Sequence, residues 1–400
     1  MKIKEFISVT LLISGTTIGA GMLAIPLVTA SSGFLPAFFV TFLVWLFMFL
    51  TGILFLEATL WMHKDANVLS MSKRFLKNKG KFIAGSTFIF LYYCLMIAYF
   101  AAGAPLLAAF IDVVFQITLK GWIVYAIFGL LFGTVVGIGI KFVDRVNYIL
   151  MVSLFISYVA LVVAGNKNVS FEKLYFQNWT NVFFAMPVLF SAFGYHNVIP
   201  SLTFHFNQNE KLMRYSIFCG TIIPFIIYIF WQYLIIGVVP SSIIDQTLKA
   251  GKPITEALQA ITGIGWVQAM GRIFALFAII TSMLGVSFSV VDFLGDGLKM
   301  KRYGKDRFLL CLLTFIPPFV LTSLDPSIFV LAISIAGGFG EAFLNGILPI
   351  LLVWVGRYKK NLKSSYTLFG GRITLFILLL VGFLVMALEV VYIFKNYIMN

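Results

Sequence analysis

Long runs of Leu, Ile, Phe and Val alternate with short polar segments along the entire chain. Eleven such runs can be counted, at about 7–30, 33–59, 82–111, 121–140, 146–164, 182–204, 212–238, 265–298, 307–323, 327–355 and 372–394. A helix that crosses a membrane needs about 20 predominantly apolar residues, because every backbone N–H and C=O must be satisfied without water. The pattern therefore predicts an all-α polytopic membrane protein with eleven transmembrane helices. The longest connections, near 60–81, 165–181 and 239–264, leave no room for a soluble domain. The first run exceeds a typical signal-peptide core and has no clean small-x-small cleavage site, so it counts as the first span.

Composition agrees with this solvent. Only 11% of the 400 residues are charged and 61% are hydrophobic, whereas a soluble chain carries charge on about a quarter of its residues. The 29 Lys and Arg against 15 Asp and Glu give +14, and their placement is what informs. With the N-terminus in the cytoplasm, inside segments hold 22 basic residues and outside segments 6, with Arg272 inside the eighth run. The positive-inside rule then sets the N-terminus inside and, after eleven crossings, the C-terminus outside. Bases spread in short strips beside a membrane argue against a nucleic-acid partner. The three cysteines, Cys94, Cys219 and Cys311, lie far apart inside apolar runs and have no metal-ligand spacing.

Against this uniform background two interruptions stand out. The first is Gly15-Thr16-Thr17-Ile18-Gly19-Ala20-Gly21, followed by Ile25-Pro26, in the first span. Each interior Gly costs a helix about 1 kcal/mol relative to Ala and an interior Pro about 3, so two half-helices joined by an unwound stretch are expected. Unwound backbone survives in lipid only where it lines a polar cavity, where its N–H groups can hold a carboxylate and its carbonyls an ammonium or cation. A close-packing face through Gly15 and Gly19 is the alternative reading. The second interruption is Phe190-Ser191-Ala192-Phe193-Gly194-Tyr195-His196-Asn197-Val198-Ile199-Pro200 in the sixth span. Spans one and six lead two five-span sets, and five being odd, the second set starts from the opposite side. That is the arithmetic of an inverted repeat, with 1–164 and 182–355 as the two halves and 372–394 as an extra C-terminal helix.

The segments GTTIGAGMLAIP at 15–26, FSAFGYHNVIPSL at 190–202 and ITSMLGVSFSVVDFLGDGLK at 280–299 resemble the hydroxy and aromatic amino acid permease family, and within it the tyrosine-specific branch. The resemblance covers the whole chain. It implies a LeuT-like five-plus-five inverted-repeat fold with broken first and sixth spans, in the cytoplasmic membrane, and import of an amino acid with protons. Carried over position by position, Thr16, Thr17, Ile18, Gly19, Ala20 and Gly21 are expected to present backbone groups to the substrate's carboxylate and amine. Phe190, Ser191, Phe193, Gly194, Tyr195 and His196 are expected to supply the opposing wall.

Charges and hydroxyls inside spans are functional hypotheses by default. Glu341, beside Gly337, Gly338 and Gly340, is the deepest acid and a candidate for loading and unloading a proton; bonding to backbone N–H groups freed at a glycine-rich bend is its structural alternative. Glu57, Asp112, Asp292, Asp296 and Glu389 fall nearer span ends, where interfacial pairing or capping is expected, with Lys299 and Lys301 near Asp292 and Asp296. His196 is a candidate proton relay or phenol partner, against a neutral hydrogen-bonded histidine at a helix break. Thr281 and Ser282 resemble the hydroxyl pair of a sodium site in the wider fold, so the coupling ion is a proton or sodium. A membrane-embedded enzyme would need a catalytic cluster such as HExxH, which the sequence lacks, and a channel needs no paired broken spans. The expected function is thus secondary active import of an aromatic amino acid, tyrosine first, with tryptophan, serine or threonine as alternatives. No cofactor or resident metal is expected.

Overall fold

The computed structural model describes residues 3–63, 66–250, 252–255, 257, 265–364 and 366–395. Every regular element among them is helical. Nine helices are long and apolar enough to cross a membrane, and the bent pair Ile3–Thr17 and Gly21–Ser32 makes a tenth span when counted as one. The expected count of eleven is not reached on length and composition. Trp122–Ile138 has 17 residues, which at 1.5 Å per residue is about 26 Å, short of a hydrocarbon core of about 30 Å. The long connections carry the short helices Phe171–Tyr175 and Ser241–Lys249.

Local sequence explains several boundaries. The helix Val68–Phe115 starts at a capping box, in which Asn67 Oδ1 accepts from the N–H groups of Leu69 and Ser70 at 3.0 Å each, and Ser70 Oγ accepts from Asn67 N–H at 2.8 Å. At Lys77 φ is 63°, a kink that separates a short leading helix from the third span proper.

The tenth span departs most from the expected geometry. Phe329–Ile335 and Leu348–Tyr358 are α-helical, but Ala336–Ile347 between them is a π-helix of 12 residues. The glycines read as a bend are contact points instead. A Cβ on Gly337 would overlap the carbonyl oxygen of Pro187, one on Gly338 would lie 2.5 Å from Glu389 Cβ, and one on Gly340 would lie 2.7 Å from Leu91 Cβ. Three neighbours, from the sixth, last and third spans, thus close on one wide helix. Such π segments are uncommon and concentrate at functional sites.

The ionisable groups near span ends divide into four cases. Arg357 grips Glu57 through Nε to Oε1 at 2.8 Å and Nη2 to Oε2 at 2.5 Å, joining the second and tenth spans with Glu57 buried and the Arg357 side chain 9% exposed. Asp292 and Asp296 pair with Arg302, at 3.2 and 2.6 Å, rather than with Lys299 or Lys301. Asp112 accepts from Thr118 Oγ1 at 2.8 Å. Glu389 does not follow the interfacial expectation: it is fully buried, because the missing side chain of Gly338 lets the last helix press its carboxyl into the protein.

Candidate functional site

The first span breaks where the glycines predict, though later by two residues. Thr16 and Thr17 are the last residues of the helix Ile3–Thr17, and their hydroxyls donate to the carbonyls of Leu12 (2.8 Å) and Ile13 (2.9 Å). Hydroxyl back-bonding of this kind keeps both residues in the helix, and the Thr16 side chain is exposed. The chain then turns through Ile18, Gly19 and Ala20 before the helix Gly21–Thr29 begins, and the two halves meet at 56°.

The interruption is held by the eighth span. Ala20 N–H donates to Ser282 Oγ at 3.2 Å, while the Ser282 hydroxyl donates to the Ala278 carbonyl at 3.1 Å. Gly19 is where this approach is tightest, since a Cβ there would overlap Ser282 Oγ. Thr281 Oγ1 also donates to the Ala278 carbonyl, at 3.1 Å. Two hydroxyls and a carbonyl within one helical turn are hard oxygen donors of the kind an alkali cation takes. One Ser282 lone pair is engaged by the first-span N–H.

In the sixth span the helix Met186–Ala192 ends at Phe193, and a turn through Gly194 and Tyr195 leads into a short 3-10 segment, His196–Val198, and the helix Ile199–His205. The two interruptions touch. A Cβ on Gly21 would lie 2.8 Å from Ala192 Cα, so the absent side chain permits backbone contact between the broken spans. The Tyr228 hydroxyl, from the helix Glu210–Val238, lies 2.8 Å from the Thr17 carbonyl and 2.9 Å from the Ala192 carbonyl. These are the C-terminal ends of two half-helices, each carrying partial negative charge. One hydroxyl proton cannot fully satisfy both, which leaves acceptor capacity at these two carbonyls.

The sixth-span side chains go in different directions. Ser191 Oγ donates to the Ile333 carbonyl at 2.8 Å, and Phe193 packs edge-on against Tyr228 with ring centroids 5.1 Å apart. Phe190, Tyr195 and His196 instead face the second span. Phe190 meets Phe47 at 5.1 Å, Tyr195 Oη donates to the Met48 carbonyl at 3.1 Å, and a Cβ on Gly52 would overlap that hydroxyl. His196 Nε2 lies 3.0 Å from Thr51 Oγ1, which is itself 3.1 Å from the Phe47 carbonyl. Because the Thr51 hydroxyl donates to the helix, it accepts from the ring, which places the imidazole proton on Nε2. Nδ1 has no partner among the described residues.

Glu341 stands opposite the sixth-span turn. A Cβ on Gly194 would lie 2.7 Å from Glu341 Oε1. The carboxylate accepts from Asn345 Nδ2, one turn along the same helix, so the partner is a side chain and not freed backbone N–H groups. Tyr92 and Tyr99 stand near it. Seven residues apart, these two tyrosines share one helix face. Sequence reasoning passed over Tyr92, Tyr99 and Tyr228; the available signal was that a tyrosine buried in a span needs a partner for its hydroxyl.

An all-helical membrane protein with two broken spans meeting back to back, their half-helix carbonyl ends converging, has the architecture of a secondary transporter. The chain matches the tryptophan/tyrosine permease family over residues 2–389 and belongs to it. It is similar to tyrosine-specific transport system 1 of Haemophilus influenzae, 32% identical over 382 residues covering 94% of each chain. It is also similar to that organism's tyrosine-specific transport system 2, at 31% with 96% of each chain covered. Its tryptophan-specific transport protein is 29% identical, covering 94% of this chain and 93% of the relative. In fold, the chain matches the crystal structure of MhsT in complex with L-phenylalanine, with a TM-score of 0.67, 14% identity and 98% of each chain covered. The fold is thus LeuT-like, and the protein is a multi-pass membrane permease.

Proposed function

We propose that this protein imports an aromatic amino acid, tyrosine first, together with protons, by alternating access around the paired interruptions. The observation that carries this reading is the convergence of the Thr17 and Ala192 carbonyls on one tyrosine hydroxyl. A substrate ammonium supplies the donors those carbonyls lack, and its carboxylate is assigned to the positive N-terminal end of the half-helix Gly21–Thr29. Phe193 and Tyr228 offer ring faces and edges to an aromatic side chain. Tyrosine is favoured over tryptophan because the two tyrosine-specific relatives share 32% and 31% identity with the chain, against 29% for the tryptophan-specific one. Glu341 is the proposed proton carrier at the substrate side, opposite Gly194, with the Thr281 and Ser282 hydroxyls as the seat of sodium should sodium drive the cycle. His196, held by Thr51 behind the sixth span, takes a structural part. In this reading the N-terminus is cytoplasmic and the C-terminus outside, which the bias of basic residues supports.

The test is uptake of labelled tyrosine into proteoliposomes under an inward proton gradient, then a sodium gradient, with tryptophan, phenylalanine, serine and threonine as competitors. Saturable, proton-driven uptake blocked best by unlabelled tyrosine is expected. Equal uptake with and without either gradient would remove the coupling, and stronger competition by tryptophan would reassign the substrate.

A further inference from the structure

The last helix, Gly371–Ile393, brings a second acid into the protein. Glu389 is fully buried, and its Oε2 accepts the Ser334 hydroxyl at 2.6 Å. Its Oε1 has no hydrogen-bond partner among the described residues, although it lies inside the protein. The carboxyl is admitted by Gly338, where a Cβ would come within 2.5 Å of both Glu389 Cβ and Cγ. A carboxylate with one donor for its two oxygens and no counter-cation is a poor tenant of such a site, whereas a carboxylic acid leaves no charge to compensate.

The elements packed against this helix supply no such cation. They are the π segment Ala336–Ile347, the sixth-span pieces Val182–Ala185 and Met186–Ala192, and Leu348–Tyr358. Their ionisable groups are Glu341, which is engaged by Asn345, and Arg357 and Tyr358. Arg357 is paired with Glu57. Tyr358 has the guanidinium of Arg372 over its ring at the far end of the last helix, 17 residues or about 25 Å from Glu389. Tyr392, on the same helix, packs its ring against Phe184 at 6.5 Å.

We propose that Glu389 is a proton-binding site, loaded from the outer side of the membrane, whose occupancy sets the position of the first half of the sixth span. Oε1 takes the proton from outside water, and Oε2 keeps the Ser334 hydroxyl. The route to the sixth span is short and physical. Ser334 follows Ile333, whose carbonyl accepts the Ser191 hydroxyl at 2.8 Å, and Gly337 seats the Pro187 carbonyl. Loss of the proton leaves a charge that must reach water, which draws the last helix off Gly338 and loosens the π segment that holds Ser191 and Pro187. The assignment rests on the transport reading above and adds to it a titrating group outside both halves of the repeat.

Two measurements test it separately. Infrared difference spectra of purified wild type, titrated through the protonation range, should show a buried carboxylic-acid band that is lost in Glu389→Gln and remains in Glu341→Gln. In proteoliposomes, Glu389→Gln should lose the stimulation of tyrosine uptake by an inward proton gradient, and Ser334→Ala should shift the pH at which stimulation sets in. Substrate counterflow, which needs no driving gradient, reports whether each variant still turns over. A spectrum with no acid band at Glu389, or full gradient stimulation in Glu389→Gln, overturns the proposal. Absence of tyrosine counterflow in the wild type would remove the transport reading instead, and the infrared band would still decide the proton site.

Discussion

Replacing Gly19 by Ala is the sharpest test of how the first span is broken. If the interruption were only a loose stretch of glycines, Ala would favour helix by about 1 kcal/mol and the protein would gain stability. The structure requires the opposite sign. A Cβ at position 19 overlaps Ser282 Oγ, and the hydroxyl must swing away, leaving Ala20 N–H without its acceptor. Overpacking a filled site costs about 1–3 kcal/mol, and a buried N–H left unpaired about 1–3 more. Ser282→Ala alone should cost only the second amount. In the double variant the overlapping oxygen is gone and the new methyl sits 3.3 Å from the Ser282 Cβ position, tight but tolerable after a small shift. Its cost should therefore fall short of the sum of the singles by about 2–6 kcal/mol, because the overlap disappears and the unpaired N–H is counted once instead of twice. Reversible unfolding in mixed micelles, followed by tryptophan fluorescence, measures all four corners of the cycle. Additivity to within about 0.5 kcal/mol, or a stabilising Gly19→Ala, would show that the first and eighth spans do not meet at this residue.

Two further perturbations separate structure from transport. Tyr228→Phe keeps the ring packed on Phe193 but removes the hydroxyl between the Thr17 and Ala192 carbonyls; stability should fall by only about 1 kcal/mol, while uptake should fall roughly tenfold or more, as initial-rate measurements at matched protein content will show. Glu57→Gln strands the guanidinium of Arg357 in a site where it is only 9% exposed, at a cost of about 3–5 kcal/mol; the yield of monodisperse protein should drop sharply, and exchanging both partners for apolar residues should restore most of it.

What the chain reveals before folding depends on how local the cause is. The spans are legible because lipid tolerates little but continuous apolar helix, and the interruptions are legible because Gly19, Gly21 and Pro26 act within a few residues of themselves. The reasons for those glycines are not local. Gly19 is required by a serine 263 residues away, Gly21 by the backbone of Ala192, and Gly194 by the carboxyl of Glu341. The same limit explains the aromatic residues. Phe193 and Tyr195 stand two apart in one motif, yet one faces Tyr228 and the other the second span, because the intervening turn has no helical period. Distance along the helix from its end misled in the case of Glu389. That measure assigns the acid to the interface, whereas the facing Gly338 lets it lie inside. A π-helix has no composition of its own, and Gly337 to Gly340 read as a bend until the three surfaces that fill their missing side chains are known.

The grip of Arg357 on Glu57 has a consequence for any large rearrangement. These residues stand 300 positions apart, one in each sequence half, yet they are joined by two charge-assisted bonds largely shielded from water. Separating them would release two bare charges into a dry interior, so motions that leave the clamp closed are favoured by several kcal/mol. The ends of the second and tenth spans that carry this pair therefore travel as one rigid body. The division between what rocks and what stays still cannot follow the midpoint of the chain, and runs instead between groups of helices drawn from both halves.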